Sequence, residues 1–386
     1  MGTSRRAVGS GAPIRRGQPV FVAWRDLRYA KGRFALMGTV IVLITVLVGL
    51  LSGLTAGLGR ENTSAVTGLP ADHLVFSAPA DGSELAFTDS RLPERTVRAW
   101  ARVPGVRHAE PLGITTTRAE AGGRTAAVSA FGVRPGSRPA PERVADGAVV
   151  LSGKAAASLG LRAGGRLTLG GRTFEVAAVS GTAMYSHTPV VWTSLRDWQR
   201  LAGGSGPAAH DKGPGDGPAG ATVLALSTTG SAGLATADQQ LGTKTVTTDD
   251  AVRAIGSFTA ENGSLQLMRG FLFAISALVI GAFFTVWTIQ RSGDVAVLKA
   301  LGASTGALLR DALGQAVVLL VAGTALGTGL AAGVGAALGG TVPFVLDPPT
   351  VLVPALIMIA LGAAGAALAI RRVTSVDPLT ALGSAR

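Results

Sequence analysis

Four stretches of this chain carry no charged residue: Phe34 to Leu58, Phe271 to Gln290, Ala312 to about Leu338, and Val351 to Ile370. A hydrocarbon core about 30 Å thick is crossed by roughly 20 helical residues, so each stretch is predicted to be a transmembrane helix. The third uncharged run continues through Gly339, Gly340 and Pro343 to Leu346, beyond what a crossing needs. Its helix is expected to end near the double glycine.

Between residues 59 and 268 the pattern breaks into short alternating strands, turn glycines and polar helices, which reads as an α+β domain. A strand at His73 to Phe76 precedes a helix that begins near Pro93 and runs through Val97 and Trp100, followed by strand material from Val106 to Thr117. The same strand, helix, strand order returns at Ala221 to Ser227, Ser231 to Leu241 and Lys244 to Thr247. Two such halves can pair as a split ferredoxin-like unit, with a β-rich insert of about residues 124–200 between them. Within the insert, Val149 to Leu151 is strand-like, Ser152 is positioned as an N-cap, and the short helix it opens should stop at Gly160. Leu167 to Leu169 and Thr173 to Val179 flank Gly170-Gly171, a two-residue hairpin signal. The Gly/Pro-rich run 203–220 reads as a mobile loop.

Charge decides orientation. Arg5, Arg6, Arg15, Arg16, Arg25, Arg28, Lys31 and Arg33 precede the first span against one acid, Asp26. The loop 291–311 carries Arg291, Lys299 and Arg310, and the tail 371–386 carries Arg371, Arg372 and Arg386. The connection 341–350 has Asp347 and no basic residue. Basic segments stay inside, so both termini and the 291–311 loop are expected in the cytoplasm and the domain 59–268 outside it. Arg269 lies on the other side of this rule, at a helix end where it can snorkel to the interface. A cleaved signal peptide is the alternative for the first span, but its apolar length far exceeds the roughly 7–15 residues of such a segment, which favours an uncleaved anchor.

Composition agrees with a lipid-embedded chain: 47% hydrophobic, 15% charged, mean hydropathy +0.41. The net charge of +12 does not imply a nucleic-acid partner, because the excess sits beside the first span while the domain is nearly balanced. With no cysteine in the sequence, disulfides and thiolate metal sites are excluded. His73, His108, His187 and His210 are scattered without ligand spacing. Ser186 beside His187 does not read as a nucleophile and base, since neighbours in an extended segment point to opposite faces; a strand-edge position is expected. No span holds an ionisable residue, which argues against an ion-coupled carrier. Gly49, Gly53 and Gly57 on the first span, and Gly323, Gly327, Gly335 and Gly339 on the third, recur at four-residue spacing and allow close helix packing. Glycine abundance in a high-GC sequence is the bland alternative.

After the second span the chain reads Arg291-Ser-Gly-Asp294-Val295-Ala-Val297-Leu298-Lys299-Ala-Leu301-Gly302-Ala-Ser304. Val295, Leu298 and Leu301, with Val297 beside Leu301, line one side of a short helix that Gly302 can end and after which Ser304 can cap the next. By physics alone this helix either lies on the inner membrane surface or docks on a partner.

The segment resembles the signature of MacB/LolC/FtsX-like ABC transporter permeases. Trp24-Arg25-Asp26-Leu27 with Lys31-Gly-Arg33-Phe34 is similar to that family's entry helix, and Asp377-Pro378-Leu379 to its closing motif. The order of one span, external domain and three spans is similar to its architecture, with Asp294 where Glu is commoner. Val149 to Leu169 looks like the insert of a MacB-type domain, and the strongest similarity is to stand-alone actinobacterial and DevC-like permeases.

The resemblance implies a membrane α-helical protein with four transmembrane helices and a large extracytoplasmic MacB-like α+β domain between helices 1 and 2. It implies a multi-pass protein of the bacterial plasma membrane, with Arg291, Asp294, Val295, Val297, Leu298, Lys299, Leu301 and Gly302 forming the ATPase-coupling loop. The implied partners are a P-loop ABC ATPase, a second permease copy or paralogue, and an extracytoplasmic adaptor or substrate-binding protein. No cofactor is expected in this chain and ATP would be bound by the partner, because no GxxxxGK[ST] occurs in the sequence. Export or extraction of a substrate by mechanotransmission is the implied activity. An FtsX-like regulator of an external hydrolase and a membrane-anchored sensor are the competing readings.

Overall fold

The computed structural model describes residues 31–79, 82–203, 219–229, 233–290, 293, 297, 301–302, 304–338 and 342–374. The basic N-terminus, the entry motif at Trp24, most of the loop 203–220 and the closing motif at Asp377 lie outside the described residues. The chain divides into two compact units. One holds the helical segments up to Gly53, between Met268 and Thr341, and from Val345 onward; the other is Leu54–Leu267 with Val342–Phe344.

Among the described residues, four helices are long and apolar enough to cross a membrane: α1 (Lys31–Thr67), α7 (Gly256–Gln290), α8 (Thr305–Leu338) and α9 (Pro348–Thr374). Within the bundle, Met37, Ile41, Ile280, Phe284, Leu320 and Met358 are buried together. Leu36, Leu43, Leu278, Leu326, Leu356 and Leu368 point outward. Such an inverted distribution needs an apolar solvent, since a folded chain in water does not expose so many large side chains together. Several hydroxyls within the bundle bond to their own helix: Thr45 Oγ1 donates to Ile41 O at 2.7 Å and Thr288 Oγ1 to Phe284 O at 2.6 Å. In hydrocarbon such i−4 bonds remove the cost of an unpaired donor.

The first and second spans are longer than the apolar runs suggest. At 1.5 Å per residue, 37-residue α1 is about 55 Å long, well beyond a hydrocarbon core about 30 Å thick. Its last turns hold Arg60, Glu61, Asn62, Thr63 and Ser64, and the first turns of α7 hold Ser257, Thr259, Glu261 and Asn262. These polar ends belong to the second unit. The boundaries at Leu58 and Phe271 therefore mark where apolar character ends, and the helices themselves continue.

The second unit is built on a ten-stranded sheet. Its ferredoxin-like half is β1 (His73–Ser77), α2 (Glu94–Trp100), β3 (Val106–Ala121), β11 (Val223–Thr228), α5 (Leu234–Leu241) and β12 (Thr243–Thr247). The strands lie in the order β12-β1-β11-β3, all antiparallel. Side chains alternate faces as strand geometry requires. Val75, Leu224 and Leu226 join Val97 and Trp100 of α2 on one face. Leu74, Phe76, Val223 and Ala225 join Val66 and Leu69 from the end of α1, with Ala254 and Ile255 ahead of α7, on the other. The ends of both long helices are thus fastened under one face of the sheet. A small two-stranded sheet pairs β2 (Leu92–Pro93) with β10 (Ala219–Ala221), so Ala219 and Gly220 are strand and not loop, and Thr222 separates β10 from β11.

The insert extends the same sheet and closes it into a barrel. Its elements are β4 (Arg124–Val133), β5 (Ala148–Leu151), α3 (Gly153–Leu159), β6 (Arg166–Leu169), β7 (Arg172–Val179), β8 (Met184–Tyr185), β9 (Thr188–Ser194) and α4 (Leu195–Ala202). From β3 the pairing runs through β4, β9, β5, β7 and β6, and β6 returns to β3 at Ala119–Leu169 and Glu120–Thr168. Val128, Leu151, Leu159, Leu167, Phe174 and Val191 fill the core beside this ring. The expected local signals are present: Ser152 accepts from the Ala155 amide, α3 ends at Gly160 with φ +66°, and Gly170 and Gly171 turn the β6–β7 hairpin with φ +52° and +78°. Strand β3, however, runs past Thr117 to Ala121 and serves both halves.

Candidate functional site

Between Arg291 and Ser304 the described residues are Gly293, Val297, Leu301, Gly302 and Ser304. Arg291, Asp294, Val295, Leu298 and Lys299 lie outside them. Gly293 and Val297 are helical, and the Leu301 amide donates to Val297 O at 3.0 Å. Val297 and Leu301 are therefore one turn apart on the same side of a helix. Gly302, with φ +92°, ends it in the left-handed conformation that a side chain resists. Ser304 Oγ then accepts from the Ala307 amide at 3.3 Å, capping α8. Val297 is 60% and Leu301 79% exposed, so two large apolar side chains stand together, largely uncovered among the described residues.

The glycines of α1 divide by neighbour. A Cβ on Gly49 would fall 2.8 Å from Ala331 Cβ of α8, a helix-to-helix approach. Gly57 instead meets the backbone of Pro343 in the α8–α9 connection. Gly53 receives that connection through its carbonyl, which accepts from the Val345 amide at 3.2 Å. On α8, a Cβ at Gly327 would lie 2.7 Å from Thr45 Cβ and 2.8 Å from Val42 O, whereas Gly329, on another face, has open space around it. Thermal unfolding in detergent should separate the two. Gly327→Ala is expected to lose about 1–3 kcal/mol to overpacking, while Gly329→Ala should be neutral or gain about 0.5–1 kcal/mol from backbone entropy.

The Ser186-His187 pair is not extended. Both residues have positive φ, +48° and +60°, and they form the two-residue turn between β8 and β9, whose ends pair Tyr185 with Thr188. Nothing in their residue types signals this, because such turns ordinarily carry Asn and Gly. Tyr185, next to the turn, is buried, and desolvation pushes its phenol pKa up. It stays protonated at any physiological pH. Among the described residues no group of three or more His, Cys, Asp or Glu converges to hold a metal ion.

Comparison with known proteins gives this arrangement a family. Residues 34–243 match the MacB-like periplasmic core domain, and residues 267–378 match the FtsX-like permease C-terminal domain. A putative hemin transport system permease protein HrtB of Staphylococcus haemolyticus is 25% identical over 370 residues, covering 94% of this chain and 99% of that protein. An ABC transporter permease of Mycobacterium tuberculosis is 28% identical over 384 residues, with the same two coverages. Among solved structures, the extracellular domain of the ABC-type transporter YknZ covers 45% of this chain and 97% of its own, at 14% identity and a TM-score of 0.33. The four membrane-spanning helices, the split α+β domain after the first, and two matches that together take in both bundle and domain show that this multi-pass membrane protein belongs to the MacB/FtsX-like family of ABC transporter permeases.

Proposed function

We propose that the chain is the membrane subunit through which a separate P-loop ATPase moves an extracytoplasmic domain, exporting or extracting a substrate by mechanotransmission. The observation that carries this reading is the exposed Val297/Leu301 pair, followed by the Gly302 stop. An apolar pair of this kind is an anchor for a groove on a partner. The second support is mechanical: α1 and α7 are single helices whose far ends enter the core of the α+β domain. Tilting them inside the membrane would carry force outward without an ion path. The basic residues of the 291–311 loop favour the cytoplasmic side, where ATP is available.

The MacB-like match over residues 34–243 favours export over an FtsX-like role in switching an external hydrolase. Hemin, named for the staphylococcal relatives, is the first substrate to test. Purification of the tagged full chain from native membranes should bring down a P-loop ATPase in stoichiometric amount, with ATP turnover that depends on the permease. Recovery of the chain alone, or with a wall hydrolase and no ATPase, would overturn the proposal.

A further inference from the structure

Where α1 and α7 enter the domain, five polar side chains from three elements converge. Asn62 of α1 is 1% exposed, and its Oδ1 accepts from Ser257 Oγ of α7 at 2.5 Å. Its Nδ2 donates to Glu261 Oε2 at 3.2 Å. His187 Nε2 lies 2.9 Å from both Glu261 oxygens, to which it donates with the proton on that nitrogen. Ser186 Oγ and Ser257 Oγ are 2.9 Å apart, and the Ser186 amide donates to Asn62 O at 3.0 Å. Two flanking contacts continue the line along α1. Ser64 Oγ accepts from the Met184 amide at 2.9 Å, and Glu61 pairs with Lys154 at the start of α3.

The turn at the centre is strained. Two consecutive non-glycine residues in the left-handed region are costly and persist only where the surroundings over-determine them. Here the surroundings do. Tyr185 is wedged edge-on between Phe87 and Phe131, with ring centroids 5.7 and 5.6 Å away, while the next two residues are bonded to both long helices. A free hairpin needs no such strain, since Asn-Gly closes the same turn without it. The residues at 186 and 187 suit a turn that must also reach two helices.

We infer that the β8–β9 turn is a weld: a joint that locks the barrel to the ends of α1 and α7, so that all three move as one body. The inference deepens the proposed function and rests on it for its purpose, but the joint is measurable without a partner. Its parts suit rigidity. The polar bonds give direction; Asn62 at their centre is buried, while the His187–Glu261 pair at the rim is 31% and 41% exposed.

Hydrogen exchange on the full chain in nanodiscs tests the weld itself. Ser186→Gly with His187→Gly keeps a two-residue turn that Gly-Gly closes without strain, and hence the hairpin, while deleting the side-chain bonds to Ser257 and Glu261. Amides at 184–190 and 60–66 should exchange about tenfold faster than in the parent. Asn62→Ala should give the same pattern. Unchanged exchange in the turn variant would show that the network holds nothing, and would overturn the inference.

Motion is tested in the complex. The sequence has no cysteine, so spin labels go only where placed, at Arg172→Cys on the barrel and Leu267→Cys on α7, both exposed positions. With ATPase bound, the distance between them should be the same with and without ATP. A shift on ATP binding would mean that the joint opens and is no weld. Failure of any ATPase to bind would count against the proposed function and leave the exchange result to decide the weld.

Discussion

Replacing Val297 and Leu301 together by Asp is expected to separate the permease from its ATPase while leaving the permease folded. Both side chains are mostly exposed, and surface changes away from caps and cores ordinarily alter stability by about 0.5 kcal/mol or less. In a docked state they would be desolvated, and two carboxylates in an apolar groove would have to be neutralised or expelled. A loss of about 2 kcal/mol or more, roughly 30-fold in affinity, is the hot-spot scale. Co-purification read beside the thermal stability of the permease checks both halves. If the face rests only on the inner lipid surface, the ATPase will be retained and the docking assignment fails. Gly302→Val offers an independent lesion on the same element, since its φ of +92° is forbidden to a β-branched residue at low cost.

The largest effect on stability is expected in the domain, at Trp198. This side chain is 3% exposed and lies against two glycines, Gly113 of β3 and Gly132 of β4, where any Cβ would collide with its ring. The two glycines are cross-strand partners, so together they make a flat seat for one indole. Asp197 beside it accepts from the Gly147 amide at 2.8 Å and from Ser194 Oγ at 2.9 Å, which fixes α4 over the seat. Trp198→Ala empties the seat and should cost about 3–5 kcal/mol, near 10 °C in Tm for a domain of this size. Gly132→Val should match it by overpacking. Thermal scans of the full chain in detergent, with exchange at β3 and β4 as the local readout, check both. A change of only a degree or two would show that α4 does not hold the barrel shut.

Local chemistry was readable from the sequence wherever the signal sits within a few residues. The Ser152 cap, the Gly160 stop and the Gly170-Gly171 turn each depend on immediate neighbours, and each is found where expected. The four spans were equally plain, because lipid permits no charge over a helix of that length. What escaped is long-range or polar. Closure of the barrel depends on Ala119 pairing with Leu169, and no residue type advertises a partner that far along the chain. The continuation of α1 and α7 past the membrane is written in polar residues such as Arg60, Asn62 and Glu261, which carry no hydrophobic periodicity. The Ser186-His187 turn hid for the opposite reason: its residue types do not advertise the conformation they adopt, and tertiary bonds from the Ser186 amide to Asn62 O and from His187 to Glu261 hold it. Of the apolar side read in the loop 291–304, Val295 and Leu298 lie outside the described residues, Val297 and Leu301 and the glycine stop are found where expected, and their exposure required the structure.

Sidedness of the loop is the claim from which the rest follows. Single cysteines at Leu301 and at Arg172, in a chain that has none of its own, can be probed in intact cells with a membrane-impermeant maleimide. The account expects Arg172→Cys to react from outside and Leu301→Cys to react only after the membrane is permeabilised. Labelling of Leu301→Cys in intact cells would put the hairpin on the side without ATP and contradict the account.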